Sequence, residues 1–356
     1  MMSGVHDTGL SPIITSPKRD KKRERQDISS IMVPRIIPFL IYNQLLSNFN
    51  LMINRRSFIK IAGAGALALA VSPLDMLASA CTNRKERERT RALMASAQKV
   101  FGSLKENSVL LPGEQVVVPV LDAPLVGVAR ADDPLFETFR KNEVIGVQWR
   151  PPGEWMPDAK SVVAFFFPVS SEIRTRHRAA RTATNEAWNY GYGKHGQLVN
   201  AFLAGMTDEM ERNGVKTFIP TKDPSFKIER QPVVNGGKED MHYSTSWSNR
   251  HVAFAAGLGT FGIHRHLITR EGCSGVLASM ILDWEMEPTS ADYRDPYENC
   301  IHCGACVTRC PAGAISLKNL RNLKECAAYA ASLRSENDPG YCGKCLVGIP
   351  CESAKP

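Results

Sequence analysis

The 356-residue chain has no apolar run long enough to cross a bilayer. Its two apolar stretches, Ile36 to Leu46 and Ile61 to Val71, hold eleven residues each, where a membrane helix needs roughly 20. Internal repeats and low-complexity tracts are also missing, which sets aside solenoid, propeller and fibrous classes. A surplus of one charge is scarce where it would matter. The formal net charge is +8, but residues 1 to 60 hold ten Lys/Arg against four Asp/Glu and Asp75 removes one more, leaving about +3 from Cys81 onward. A body so near neutrality offers no broad polyanion-binding face and speaks against nucleic acid as a partner. The length leaves room for two domains, and a hydrophobic content of 43% is enough for a globular core.

The basic front end has a local explanation. Asn54-Arg55-Arg56-Ser57-Phe58-Ile59-Lys60 precedes the apolar run, and Ala78-Ser79-Ala80 follows it, the layout of a twin-arginine signal peptide over 52–80. Residues 1–51 then read as an upstream extension outside the mature protein, with Met52 as the start. Export by the twin-arginine translocase to a periplasmic or other extracytoplasmic location follows, and it suits a protein that must cross with its cofactors already in place. The competing reading is a cytoplasmic protein with a fortuitous Arg-Arg pair. Cys81, directly after Ala80, leaves membrane association through a lipid as an alternative, although Ala78 stands where a lipobox prefers Leu.

Eight of the ten cysteines fall between Cys300 and Cys351. They begin Cys300-Ile-His-Cys303-Gly-Ala-Cys306-Val-Thr-Arg-Cys310-Pro311, the C-x2-C-x2-C-x3-C-P run of bacterial ferredoxins, in which three thiolates hold one cubane and the fourth reaches another. The expected ligands are Cys300, Cys303, Cys306 and Cys351 on one 4Fe-4S cluster, and Cys310, Cys326, Cys342 and Cys345 on a second. A zinc site or a disulfide framework would not require the triple spacing followed by Cys-Pro. The final cysteine sits at x5 after Cys345 instead of the usual x3, which makes Cys351 the irregular member. Cys273 reads as a buried free thiol.

From Asn83 to Lys105, apolar residues at three- and four-residue intervals predict an amphipathic helix. Val116 to Leu121 and Leu125 to Ala129 read as short strands, and Asp133-Pro134 as the start of a helix running to Arg140. Val162 to Phe167 is an unbroken apolar strand, expected in mid-sheet with both faces buried. Gln197 to Asn213 predicts a helix burying Leu198, Phe202, Leu203, Met206 and Met210 and ending at Gly214. Val215 to Ile219 (strand), His251 to Leu258 (helix) and Val276 to Leu282 (strand) continue the alternation, so 81–295 is an α/β layer. Pro288 to Pro296 reads as the linker to a cluster domain over 296–356.

The block Trp247-Ser-Asn-Arg250-His251-Val-Ala-Phe-Ala-Ala-Gly257-Leu-Gly259-Thr-Phe-Gly262, then Leu267-Ile-Thr269 and the cysteines, resembles the superfamily of epoxyqueuosine reductases and reductive dehalogenases. Ala123-Pro-Leu-Val-Gly127 through Asp132-Asp133-Pro134-Leu135-Phe136 extends the resemblance, which covers most of 115–356. It implies an α+β or α/β fold: a nitroreductase-like sandwich carrying a corrinoid (cobalamin), followed by a ferredoxin-like double 4Fe-4S domain that feeds it electrons. Under it, Gly257, Gly259 and Gly262 would let backbone approach a large flat cofactor; a helix end and turn explain them equally. Tyr243 falls where these families carry a proton donor, and a packed aromatic is its alternative. Arg250 and His251 would bind substrate or corrin amides, or simply form a helix N-terminus. His242, Tyr190 and Tyr192 are weaker candidates. No Asp-x-His-x-x-Gly motif supports a corrinoid independently.

Three functions compete on this reading. The first is an exported, reductive-dehalogenase-like reductase that takes electrons from a donor protein or membrane quinol system and acts on a small organic substrate. The second is a two-cluster electron carrier without corrinoid, and the third an epoxyqueuosine reductase acting on tRNA.

Overall fold

The computed structural model describes residues 73–111, 115–180, 185–335 and 340–356, with side chains from 83 onward except that of Tyr190. The chain divides into two units, Met1–Ile53 and Asn54–Pro356, and every described residue lies in the second. The extension 1–51 and the signal segment as far as residue 72 lie outside the described residues.

Helix α1 (Pro73–Gly102) runs unbroken through Ala78 to Cys81 and buries Leu93, Ala97 and Val100. It begins ten residues before the predicted start at Asn83. A two-stranded ribbon, β1 (Ser108–Leu110) and β2 (Val117–Pro119), precedes β3 (Leu125–Arg130) and the short α2 (Pro134–Thr138). Asp133 opens α2 by accepting the Leu135 amide at 3.0 Å, as its position before Pro134 predicts.

A turn of helix, α3 (Pro152–Trp155), leads to β4 (Ser161–Pro168), all eight of whose residues are buried. Helices α4 (Ser171–Ala179), α5 (Glu186–Gly193) and α6 (His195–Arg212) follow, then β5 (Thr217–Phe218). The five predicted core residues of α6 are all buried, and Gly214 just beyond it has φ +73, the left-handed geometry that ends helices.

The hairpin β6 (Ile228–Asn235) and β7 (Lys238–Thr245) leads to α7 (Asn249–Ala255), a small hairpin β8 (Gly259–Phe261) and β9 (Leu267–Thr269), and finally β10 (Gly275–Leu282). The central sheet has the order β3-β4-β10-β5, so β4 is interior as expected. Every pairing in it is antiparallel; helix–strand alternation does not fix strand direction.

The period of two along β4 sends alternate side chains to opposite layers. Val163, Phe165 and Phe167 pack with Leu93, Phe202 and Met206 from α1 and α6, and Phe202 meets Phe165 and Phe167 edge-on at 5.0 and 4.9 Å. Val162 and Ala164 join the other layer with Phe136, Trp149, Trp247 and Val252. Both faces of the sheet are covered, giving a mixed α/β sandwich. Among the described residues no helix is long and apolar enough to cross a membrane.

The segment 288–296 has no regular structure but is tied to the body, the Thr289 amide donating to the Val128 carbonyl at 2.9 Å. Beyond it come α8 (Ala305–Thr308), the strand pair β11 (Ile315–Ser316) and β12 (Leu320–Arg321), and α9 (Leu323–Ser332). Cys306, Ile315, Leu346 and Ile349 are continuous with the core of α1 and α6. Glu352, only 4% exposed, fastens the carboxyl end. It accepts from Arg178 Nε and Nη2 at 3.1 and 2.6 Å and from the Gly348 amide at 2.6 Å.

Candidate metal centre

The three close cysteines of the ferredoxin-like run are turned inward by backbone strain that the sequence permits. His302 and Gly304 both have positive φ, +51 and +74, winding the loop before α8 so that Cys300, Cys303 and Cys306 face one cavity. Cys351 closes it from the carboxyl end, with His264, Ile268 and Ile349 among the remaining walls. All four are free thiols. Burial, then the neighbouring thiols Cys345, Cys351, Cys300 and Cys303, push Cys306 up to about 12. Iron binding must therefore displace protons and relieve that repulsion. A pocket lined by four free thiols fits a cubane.

The other predicted set is also drawn together. Burial pushes Cys345 up to about 11, Arg321 opposes the rise, and Cys326, Cys342 and Cys310 add to it; the thiols acting on Cys342 are Cys326 and Cys310. Cys326 rides on α9, and the Cys342–Cys345 turn is held by a stack of rings. His177 lies 4.2 Å from Trp188, and Trp188 4.8 Å from Tyr192. A Cβ at Gly343 (φ +62) would strike Trp188 at 2.1 Å, so only glycine passes there. The His177 Nε2–H donates to the Cys342 carbonyl at 2.7 Å, and buried Lys344 donates to the carbonyls of His177 and Ala180 at 2.7 and 2.8 Å. Of the neighbouring thiols, Cys345 also acts most strongly on Cys306, which sets the two groups of thiols side by side.

Near Cys345 lies a group of half-buried titratable side chains. Burial brings Arg250 down to about 10 and His251 to about 3, and pushes Tyr192 up to about 12. His266 behaves alike, held well below its ordinary value by burial and then by Arg321 and Arg250, and its Nε2 accepts from Arg321 Nη1 at 2.8 Å. Arg265 stands 3.6 Å from Asp240.

Arg250 and His251 sit on the first turn of α7. Tyr243 is on β7 opposite Arg230, whose guanidinium lies 5.6 Å from its ring. The alternation of β7 puts Tyr243 on the face away from Asp240 and Ser244. The three glycines are filled by the chain itself. A Cβ at Gly257 would meet the Thr289 carbonyl at 3.1 Å, at Gly259 the Ile268 carbonyl at 2.1 Å, and at Gly262 the His264 ring at 2.6 Å. Local packing accounts for all three. Sequence reasoning did not single out His264, Arg265, His266 or Arg321, and ranked Tyr192 low. The signal was the run of three titratable residues His264-Arg265-His266 directly after Ile263.

The description "4Fe-4S binding domain" matches residues 295–316, which include Cys300, Cys303, Cys306 and Cys310. The chain carries a 4Fe-4S binding segment. No curated protein matches it. Among solved structures it is similar to epoxyqueuosine reductase from Streptococcus thermophilus (16% identity, TM-score 0.38, 65% of this chain and 64% of that one). The Bacillus subtilis epoxyqueuosine reductase gives 20% identity and TM-score 0.40 over 65% and 62%, and a catabolic reductive dehalogenase 17% and 0.42 over 65% and 30%. The chain thus spans less than two thirds of those reductases and under a third of the dehalogenase. Such scores show similarity and carry nothing further.

Proposed function

We propose that this chain is an iron–sulfur oxidoreductase with two 4Fe-4S clusters, one on Cys300, Cys303, Cys306 and Cys351 and one on Cys310, Cys326, Cys342 and Cys345. The convergence of the first four free thiols on one cavity carries the reading. The 4Fe-4S match over 295–316 supports it. Cys345, which acts on both Cys306 and Tyr192, is the natural exit for electrons.

A corrinoid would lie beside Arg250, His251 and Tyr192. When bound, that group would supply the low-potential cobalt chemistry. The protein's part is to enclose the reacting space and to hold a proton ready, on Tyr192, whose hydroxyl stays protonated, or on Tyr243. We place the enzyme outside the cytoplasm, exported by the twin-arginine route and acting on a small organic substrate with electrons from a donor protein or quinol system. A two-cluster carrier without corrinoid is the second reading. What favours it is that contacts within the chain already call for glycine at 257, 259 and 262, so that none of the three needs a cofactor to explain it.

Iron, sulfide and cobalt analysis of anaerobically reconstituted protein after gel filtration with cobalamin tests both. Iron with co-eluting corrin bands supports the reductase, iron without them the carrier, and no iron removes the whole reading. Export is tested by changing Arg55 and Arg56 to Lys and locating the protein; an unchanged distribution would count against it.

A further inference from the structure

Beyond Cys81, Cys273 is the one cysteine that the cluster assignment leaves unused. It is 1% exposed, belongs to the core of α1 and α6, and is not among the residues lining the cavity of Cys300, Cys303 and Cys306. As a small apolar residue it would need no further account. Its neighbour changes that. Its Sγ lies 3.9 Å from Sγ of Cys351, the cysteine that does line the cavity.

The two segments carrying these thiols are held together by their backbones. The Cys273 amide donates to the Cys351 carbonyl at 2.8 Å, and the Ser274 amide to the Glu352 carbonyl at 3.1 Å. A Cβ at Gly272 would meet the Glu352 carbonyl at 2.4 Å, so the two stretches touch with nothing between them. A direct N–H···O contact keeps the two Cα atoms inside the limit of about 7 Å beyond which cysteines cannot be bridged. Closing the sulfurs from 3.9 Å to the roughly 2.0 Å of a disulfide is then a matter of side-chain rotation. Cys351 is partly exposed and faces the cavity, whereas Cys273 is enclosed, so a small oxidant reaches Cys351 first. An accessible sulfur with a second one poised beside it is the arrangement of an oxidisable thiol and its resolving partner.

We propose that Cys273 is the resolving thiol of Cys351: when peroxide strips the first cluster, the two cysteines join in a disulfide in place of the iron bond. The Cys351 thiol attacks one peroxide oxygen, the O–O bond breaks, and sulfenic acid and one water result. The Cys273 sulfur then displaces the hydroxyl from Cys351, and that hydroxyl leaves with the Cys273 proton as a second water. Two electrons pass from the thiol pair to peroxide. The bridge stops Cys351 short of sulfinic acid, which thiol reductants do not reverse, and a dithiol reopens it by exchange. The proposal rests on the two-cluster reading only for the iron bond that the disulfide replaces.

The test uses the full chain with its clusters, treated with hydrogen peroxide until the cluster absorbance is lost, then alkylated and digested with trypsin without reductant. Cys273 falls in peptide 271–294 and Cys351 in 345–356. Tandem mass spectrometry is expected to find the two peptides joined, with the link on Cys351 and not on Cys345. In Cys273→Ser, or Cys273→Ala should the first variant not fold, the joined peptide is absent and Cys351 is found as sulfinic acid. After dithiothreitol and a renewed supply of iron and sulfide, wild type is expected to regain its starting iron and the variant about half of it, one cluster of two. Cys351 joined instead to Cys300, Cys303 or Cys306, or equal sulfinic acid at Cys351 in wild type and variant, overturns the proposal. Iron in the untreated protein separates the two ideas: the Cys273–Cys351 link in a protein that holds no iron leaves the thiol pair standing and removes the redox reading, and iron without the link does the reverse.

Discussion

His264 aims its Nε2 at Sγ of Cys351 from 3.6 Å, and its other nitrogen settles which of them carries the proton. The His266 backbone amide, which can only donate, points at His264 Nδ1 from 3.1 Å. Nδ1 is therefore the acceptor and, in the neutral ring, Nε2–H the donor. On the far side the Cys273 thiol approaches Cys351 to 3.9 Å. That contact first, and His264 after it, hold Cys351 below the ordinary thiol range against the effect of burial.

A hydrogen bond to a ligand sulfur favours the more negative, reduced cluster. Changing His264 to Ala should leave iron in place and lower the reduction potential of one cluster by about 40 mV, the one-electron equivalent of a hydrogen bond worth about 1 kcal/mol. His264→Gln, which keeps a donor, should recover part of it. An EPR-monitored redox titration decides, and identical midpoints would dismiss the contact.

Cys351 and Cys273 are neighbours, but only Cys351 lines the cavity with Cys300, Cys303 and Cys306. Cys351→Ser should cost about half of the bound iron, one cluster of two, whereas Cys273→Ser should keep all of it. Iron and sulfide assays read this directly. Equal losses in the two variants would reject Cys351 as the sole fourth ligand.

His251 is neutral in the fold because burial, then Arg250, lowers it to about 3 from 6.5. With a depressed folded value, the unfolded chain takes up the proton first as pH falls below 6.5. Stability is thus full above 6.5 and is lost between 6.5 and about 3, by up to about 1.4 kcal/mol per pH unit. His251→Gln should flatten that part of the acid limb in urea unfolding measured at several pH values. An unchanged slope would mean the ring is solvated.

Glu352 joins the carboxyl end to α4 through Arg178 and, at 3.5 Å, Arg174. Arg178 is 48% exposed on its side chain, so screening reduces its share. Glu352→Gln should cost about 2 kcal/mol, below the usual figure for breaking a fully buried pair, and should speed iron release to a chelator. Denaturant midpoints and chelation kinetics measure both; wild-type values for each would show the clamp to be idle.

At Gly259 a methyl group would overlap the Ile268 carbonyl, whereas at Gly153 nothing lies within 4 Å. Gly259→Ala should therefore yield little soluble protein, cofactor or no cofactor, and Gly153→Ala should express normally. If Gly259→Ala folds and loses only cofactor affinity, the cradle role implied by family resemblance regains its footing.

Where periodicity was strong, the elements could be read directly. The stripe on α6 and the apolar run of β4 gave their own burial, since a side chain's face follows from the helical or pleated repeat. The β6–β7 hairpin escaped because it buries so little: six of the eight β6 residues are exposed, and Pro232 interrupts the pattern. Its turn, Asn235-Gly236-Gly237 with both glycines at positive φ, was the available signal. Tyr243 lies on this hairpin, so its surroundings could not be read either.

What the sequence determined by itself was the sulfur chemistry of one loop. Residues two or three positions apart cannot stray from one another, so the spacing of Cys300, Cys303, Cys306 and Cys310 is already a geometry. Tertiary structure alone decided that Cys351 meets Cys273 and His264 across 78 and 87 residues of chain, and that Arg250, Arg265 and Arg321 from different segments come close enough to repel one another. Like charges do not seek each other in an unfolded chain; the packing of hundreds of other atoms brings them together, and no local pattern records that.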